Sequence, residues 1–261
     1  HLMKISHVIR GEEFISSTPK HIQLYKAFDW DLPVFVHLPS VLGNDKQKLS
    51  KRHGAKSALE YRGEGYLKEA LLNYMALLGW NPGGNQEIFS LEEMIKAFDL
   101  KDINAASPVF DVQKLSWMNQ QYIQTKSDEE LKKIITEFYP QAKELPEETL
   151  TQLMPLVKSR MSTLKDFAQL TAVFFMQSAP DISDPKDKQL AGELYEKFSQ
   201  ISDWNHAMLF EVMKKSMQEH NVRMPVLYKL LTGSERGLPL PQTIEILGKK
   251  KTLSFLEQQK S

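Results

Sequence analysis

Ile5-Ser-His-Val-Ile-Arg-Gly-Glu-Glu13 is apolar and β-branched up to Ile9 and is ended by Gly11, which marks a short strand. Working outward, Ser17-Thr-Pro19 reads as a helix start with proline in the first turn, and Ile22, Leu24, Tyr25 and Phe28 follow at helical spacing. Val34-Phe-Val36, set between Pro33 and Pro39, is a second strand. A strand, a helix and a strand make the beginning of a parallel sheet. Such a sheet is stable only with several strands and both faces covered. The first 40 residues therefore read as the tail of a doubly wound sheet whose beginning is missing.

Beyond residue 56 the pattern becomes helical. Leu67-Lys-Glu-Ala-Leu-Leu-Asn-Tyr-Met-Ala-Leu-Leu78 is an amphipathic helix closed by Gly79, and Asn81-Pro-Gly-Gly84 is a loop. Ser90-Leu-Glu-Glu-Met94 has the form of a capping box, and Ser127-Asp-Glu-Glu-Leu131 repeats it. Pro140, Pro146, Pro180 and Pro185 break the following helices, Ser178–Pro185 is the best linker, and residues 186–261 read as helices throughout. Thr232-Gly233-Ser234 is a helix stop. Phe174-Phe-Met176, Trp117-Met118 and Leu209-Phe210 are expected in the core. The expectation is a mostly α protein, opening with a small α/β piece.

The 261 residues carry 33 Lys+Arg against 33 Asp+Glu, which speaks against a globally basic nucleic-acid binder but not against a local basic site. There is no cysteine, so no disulfide framework or thiolate metal site, which suits a reducing cytoplasm. No apolar stretch approaches a membrane span, and His-Leu-Met-Lys at the start has no signal-peptide pattern.

Three constellations have chemical content. Residues 46–56 hold Lys46, Lys48, Lys51, Arg52 and Lys56 with no acid, just after the Gly43-Asn-Asp45 turn. Such a loop can wrap a polyphosphate, with mobile lysines, the Ser50 hydroxyl, and backbone room at Gly54. By residue type alone a solvated basic loop, or an address tag, is the plainer reading, since short basic runs are common. Arg10 stands at the carboxyl end of a strand, where open α/β sheets bind ligands, and arginine is a fork for carboxylates; pairing with Glu12 or Glu13 is the plainer reading. Lys158, Arg160 and Lys165 lie in a stretch without acids, able to meet a nucleobase or simply water. The seven histidines lack ligand spacing with acids, so no zinc is expected, and no P-loop, Rossmann glycine pattern or Gly-x-Ser-x-Gly occurs.

Together these pieces resemble a known family. Lys48-Leu-Ser-Lys-Arg52 looks like the KMSKS signature of class I aminoacyl-tRNA synthetases. His7-Val-Ile-Arg-Gly-Glu-Glu13, Ser17-Thr-Pro19, Leu24-Tyr25, His37-Leu-Pro39, and Lys48 through Ala55 closely resemble the bacterial-type glutamyl-tRNA synthetases. So do Glu69-Ala-Leu-Leu-Asn-Tyr74, Leu78-Gly-Trp80, Pro108-Val-Phe-Asp111, Lys114-Leu-Ser-Trp-Met-Asn119, Thr163-Leu-Lys-Asp-Phe167 and Leu231-Thr-Gly233. The likeness spans nearly the whole chain and is strongest over residues 1–125. The family's first signature, of His-x-Gly-His type, is absent: no histidine here is followed two residues later by glycine. The chain thus resembles the rear part of such an enzyme, a fragment.

The resemblance implies residues 1–55 as the end of the doubly wound, Rossmann-like catalytic domain, and 56–125 as a helical stem-contact domain. It implies 126–185 and 186–261 as two helical anticodon-binding subdomains. It implies Arg10 pairing with a carboxylate of glutamate, Glu13 near ATP, Leu42 lining the adenine site through its backbone, and Lys48, Ser50, Lys51 and Arg52 over the ATP phosphates. Lys51, with Lys48, is assigned to the charge on departing pyrophosphate. Arg160 matches an arginine that approaches the anticodon and helps select tRNA(Glu) over tRNA(Gln). Tyr228 stands where the family often has arginine. The implied partners are tRNA(Glu), L-glutamate and ATP with Mg²⁺, with no tightly bound cofactor, no membrane, and a monomer in the cytoplasm. The implied activity is glutamate–tRNA ligation, for which this chain alone is expected to be incomplete. A stand-alone helical RNA-binding module is the alternative. Glutaminyl-tRNA synthetases share the catalytic fold but end in β-barrels, and the helical pattern of residues 126–261 favours the glutamyl type.

Overall fold

The computed structural model describes residues 1–50, 52 and 55–260. The chain divides into two compact units, residues 1–122 and 123–261. Among the described residues no helix is long and apolar enough to cross a membrane.

In the first unit, strands β1 (His7–Gly11) and β2 (Val34–Leu38) pair in parallel, with Val8 opposite Phe35 and Arg10 opposite His37. A 3-10 helix, Glu12–Ser17, and helix α1, Thr18–Ala27, connect them, with Pro19 in the first turn of α1. The first strand lies two residues later than its apolar run. Backbone pairing with Val34–Leu38, rather than side-chain hydrophobicity, sets its limits, so it takes in Arg10 and Gly11. Side chains alternate across a strand. Val8 and Arg10 are half-buried, whereas His7 and Ile9 are exposed on the other face.

The segment after β2 doubles back on itself: Leu49 N–H donates to the Val41 carbonyl and Gly43 N–H to that of Gln47, both at 2.8 Å. Helices α2 (Ala58–Gly63), α3 (Lys68–Gly79), α4 (Leu91–Ala97) and α5 (Val112–Thr125) follow it. Tyr61, Tyr74, Phe110, Leu115 and Met118 form the core there, and Val41 and Leu49 of the doubled-back segment pack against it. A second cluster holds Trp80, Phe89 and Met94. Buried amides tie these helices together. Asn119 Oδ1 accepts from Leu67 N–H at 2.8 Å, and Asn73 Oδ1 accepts from Phe89 N–H at 2.9 Å.

The second unit is helical: α6 (Asp128–Phe138), a 3-10 turn (Pro140–Glu144), α7 (Glu147–Lys158), α8 (Asp166–Leu170), α9 (Ala172–Phe175), α10 (Pro185–Ser199), α11 (His206–His220), α12 (Met224–Thr232), α13 (Leu240–Leu247) and α14 (Lys249–Gln259). The mostly α architecture with a small parallel sheet agrees with the sequence expectation. Gly233, at φ 73°, ends α12 as expected of a left-handed cap.

Ser178–Pro185 is fastened in place. Ala179 N–H donates to Gln258 Oε1 and the Gln259 amide to the Pro180 carbonyl, each at 2.9 Å, while Ile182 is buried in the core around Leu194 and Phe198. Residues 126–185 and 186–261 accordingly fall in one compact unit. Of the expected core pairs, Met118, Phe174 and Leu209 are buried, but Trp117 and Phe210 are exposed. Neighbours on a helix point about 100° apart, so one member of a pair can face the core while the other faces solvent.

Candidate functional site

Arg10 lies at the carboxyl end of β1, and none of the side chains that hold its guanidinium is an acid. Nε donates to His37 Nε2 at 3.2 Å, one terminal nitrogen contacts His21 Nδ1 at 3.3 Å, and the other donates to Thr18 Oγ1 at 2.8 Å. The rings of Phe14 and Phe35 lie 5.0 and 5.4 Å from its centre. The expected alternative, pairing with Glu12 or Glu13, is not what the structure shows. Glu12 accepts from Ser40 N–H at 3.0 Å, and hydrogen bonds from Ser40 lower its pKa. Glu13 folds back over Gly11, where a Cβ would stand 2.2 Å from its carboxylate, and lies 3.9 Å from Lys48 Nζ. Glu13 and Lys48 are thus neighbours at the strand end.

The backbone of Leu42 is engaged on both sides. Its N–H donates to the Pro108 carbonyl and its carbonyl accepts from Phe110 N–H, both at 2.8 Å. Only the second lone pair of that carbonyl is left for another donor. Lys46 takes a left-handed φ of 60°, and Asp45 accepts from Gln47 N–H at 3.0 Å, which fixes the turn before the basic loop. Ser50 is half-buried and its carbonyl accepts from Ala55 N–H at 3.0 Å; Arg52 is exposed. Lys56 is tied to Glu64 at 2.5 Å. Lys51, with His53 and Gly54, lies outside the described residues.

In the second unit Arg160 follows α7, its N–H donating to the Val157 carbonyl at 2.9 Å. Buried Met161 and Leu164 anchor the turn that carries it. Asp166 accepts from the N–H groups of Ser162 and Thr163 at 2.8 and 2.9 Å and fixes the next bend. The side chain of Arg160 is exposed and makes no ion pair among the described residues, whereas Lys158 is tied to Asp128 at 3.2 Å. Tyr228 lies within its electrostatic reach. Burial pushes the pKa of that phenol up, and the Arg160 charge pulls the other way. Its hydroxyl donates to the Leu238 carbonyl at 2.6 Å. Among the described residues no group of His, Asp or Glu side chains is placed to hold a metal ion.

Three residues at the first of these places were not singled out as site residues from sequence: Thr18, His21 and His37. The signal was partly present, since an arginine and a histidine both close apolar strands. Their juxtaposition depends on register, which no single strand reveals.

Residues 1–117 match the family described as tRNA synthetases class I (E and Q), catalytic domain, and residues 133–259 match the anticodon binding domain family. The glutamate--tRNA ligase of Clostridioides difficile is 37% identical over 273 residues, covering 97% of this chain and 55% of the relative. That of Chlamydia muridarum is 40% identical over 271 residues, covering 98% and 53%. Among solved structures, the glutamate tRNA ligase of Elizabethkingia meningosepticum in complex with its amino acid is similar with a TM-score of 0.81 at 33% identity, covering 98% of this chain and 57% of that one. The glutamate-tRNA synthetase of Elizabethkingia anophelis gives 0.80 at 33% identity, covering 99% and 57%. The chain therefore spans about half the length of the relatives it matches.

Proposed function

This chain belongs to the class I tRNA synthetases of the glutamate and glutamine type, and we propose that it serves glutamate–tRNA ligation in the cytoplasm. Its substrates are then L-glutamate, ATP carried with Mg²⁺, and tRNA(Glu). Residues 1–55 close the catalytic domain, 56–125 meet the acceptor stem, and 126–185 with 186–261 meet the anticodon. The reading is supported above all by Arg10, a guanidinium at the carboxyl end of a parallel strand with no carboxylate partner among the described residues.

In the first step a glutamate carboxylate oxygen attacks the α-phosphorus of ATP and pyrophosphate leaves. In the second, a hydroxyl of the terminal tRNA ribose attacks the activated carbonyl and AMP leaves. Neither step needs a covalent bond to the protein; positioning and charge stabilisation suffice. Arg10 takes a glutamate carboxylate. Lys48, Ser50, Lys51 and Arg52 bind the phosphates, and Lys51 stabilises the negative charge that grows on the departing pyrophosphate. Glu13, beside Lys48, orients that edge of the nucleotide site, and the Leu42 carbonyl meets the adenine.

A chimera tests this, with residues 1–261 replacing the matching part of the Clostridioides difficile ligase. It should catalyse glutamate-dependent ATP–pyrophosphate exchange in the presence of tRNA(Glu), and Lys51→Ala should lower the rate by about 10²-fold or more. Exchange that follows glutamine instead of glutamate, or is indifferent to Lys51, would overturn the assignment. The 261-residue chain by itself should give no exchange, since it contains no His-x-Gly-His element. A second reading, a helical module that binds tRNA by itself, is favoured by one observation: Arg160, exposed and without an ion pair among the described residues, lies within the stretch that matches the anticodon binding domain.

A further inference from the structure

We propose that His37 and His21 are positioning residues for Arg10. As neutral imidazoles they accept two of its N–H bonds, which leaves its positive charge available to a carboxylate ligand; on protonation they release it. The inference rests on the assignment of Arg10 to the glutamate carboxylate and extends it to the residues that hold the guanidinium.

The argument begins with what arginine lacks. A guanidinium has five N–H donors and no acceptor, so any nitrogen facing it at hydrogen-bond distance must present a lone pair. His37 Nε2 lies 3.2 Å from Nε, and His21 Nδ1 lies 3.3 Å from a terminal nitrogen. Both faces must therefore be unprotonated. In the neutral ring the proton then sits on Nδ1 of His37 and on Nε2 of His21. Thr18 completes the set: its hydroxyl donates to the Phe14 carbonyl at 2.8 Å, so its lone pairs face the other terminal nitrogen, also at 2.8 Å. The hydroxyl oxygen lies 3.1 Å from His37 Nε2 as well, so the two acceptors stand side by side against the guanidinium, which supplies the proton to each.

Three of the five N–H groups are thereby used, and one remains on each terminal nitrogen. That pair is what a carboxylate accepts bidentately. A structural arginine is usually neutralised by an acid. Here the fixing is done by neutral acceptors and flanking aromatic rings, so direction is set without neutralising the charge.

Protonation removes the acceptor and adds a second cation beside the first, and histidine is the side chain that does this near neutral pH. The other charged groups on the packed elements do not compensate. His7 of β1 contacts Ser6 Oγ at 2.9 Å, Glu12 is held by Ser40, Glu13 faces Lys48, and Lys20 and Lys26 of α1 are exposed.

The test uses the 261-residue chain labelled with ¹⁵N in histidine and arginine, with the Arg10 signal identified by Arg10→Lys. At about pH 7.5 the ring nitrogens should report the two tautomers stated, and the Arg10 Nε resonance should move on acidification with the same midpoint as the His37 ring. In His37→Gln, whose amide oxygen keeps an acceptor that does not titrate, that movement should be lost. With L-glutamate as the probe, the affinity read at Arg10 should fall about tenfold or more between about pH 7.5 and pH 5.5, and a His21→Gln/His37→Gln double variant should remove the fall. A proton on Nε2 of His37 at the higher pH overturns the proposal, as does an Arg10 resonance indifferent to the histidines or a pH dependence that survives in the double variant. If glutamate moves no Arg10 signal at either pH, the substrate assignment fails, while the tautomers and the shared midpoint still decide the positioning role.

Discussion

Tyr74 is 2% exposed, and its phenol oxygen accepts from Asp111 N–H at 2.6 Å, next to the turn that starts α5. Burial pushes its pKa up to about 12. The folded state thus holds the phenol proton more tightly than the unfolded chain, whose tyrosine titrates near 10. Stability from this group is complete below about pH 10 and is lost as pH rises through about 12, by roughly 2–3 kcal/mol. Urea midpoints between those limits should fall in the parent and fall less in Tyr74→Phe. The Phe variant should start about 1 kcal/mol less stable at neutral pH, because Asp111 N–H loses its acceptor. An unchanged alkaline slope in the variant would show that another group controls it. Legibility at this scale was uneven. Arg10 and Arg160 stand out in sequence because charge at a strand end or in an acid-free run is conspicuous. His37 and His21 do not, since what they do depends on register and on which nitrogen carries a proton. Tyr74 sits in a recognisable motif, yet its contact is a backbone amide 37 positions away.

Helix ends were the most legible elements. Ser90 and Ser127 head capping boxes as their Ser-x-x-Glu pattern predicts, with Glu93 and Glu130 returning the bond to the serine N–H at 2.7 and 2.9 Å. Ser57 does the same for α2, but that helix has only six residues and is hard to see as a helix beside the basic loop. Ser90→Ala should cost about 1 kcal/mol in chemical denaturation, the usual worth of such a cap. The links between helices are a different matter. Asn73 is fully buried; its Oδ1 accepts from Phe89 N–H and also faces the Tyr122 hydroxyl at 2.8 Å, which shares its one proton with the Phe89 carbonyl. A buried asparagine in an amphipathic helix looks polar in sequence and gives no hint of its partners. Asn73→Ala strands the Phe89 amide and should cost about 2–4 kcal/mol, more than the cap, because a buried donor without an acceptor incurs its full desolvation penalty. A loss no larger than that of Ser90→Ala would mean that water replaces the carboxamide. The same reasoning separates the motifs by role. In Glu69–Tyr74 and Lys114–Asn119 the residues with visible work, Asn73, Tyr74 and Asn119, hold helices together, whereas in the Lys48–Arg52 run Leu49 packs on the core and Lys48 and Arg52 are exposed.

At the scale of the whole molecule the zero net charge proves uninformative about RNA. Residues 123–261 carry 19 Lys+Arg and 19 Asp+Glu, so that unit has no net attraction for a polyanion. On the proposed reading, affinity for tRNA comes from local cations that make no ion pair among the described residues, and Arg160 is one of them, while Lys132, Lys158 and Lys197 are bound to Glu147, Asp128 and Glu219. The binding constant should fall with salt according to the number of phosphates those cations neutralise, with a slope in log–log form of about −0.7 to −0.9 for each. The role of Arg160 is then separable. A contact to a base carries discrimination, while a contact to a phosphate carries a share of the salt slope. Arg160→Ala should weaken binding of tRNA(Glu) by about 10- to 100-fold, bring its affinity closer to that of tRNA(Gln), and leave the slope unchanged. Filter binding of both tRNAs over a range of salt reads all three at once. A slope reduced by about one with discrimination intact would place Arg160 on the backbone and remove it from anticodon selection. Equal affinity of the parent chain for unrelated RNA would dispose of the tRNA-binding reading altogether.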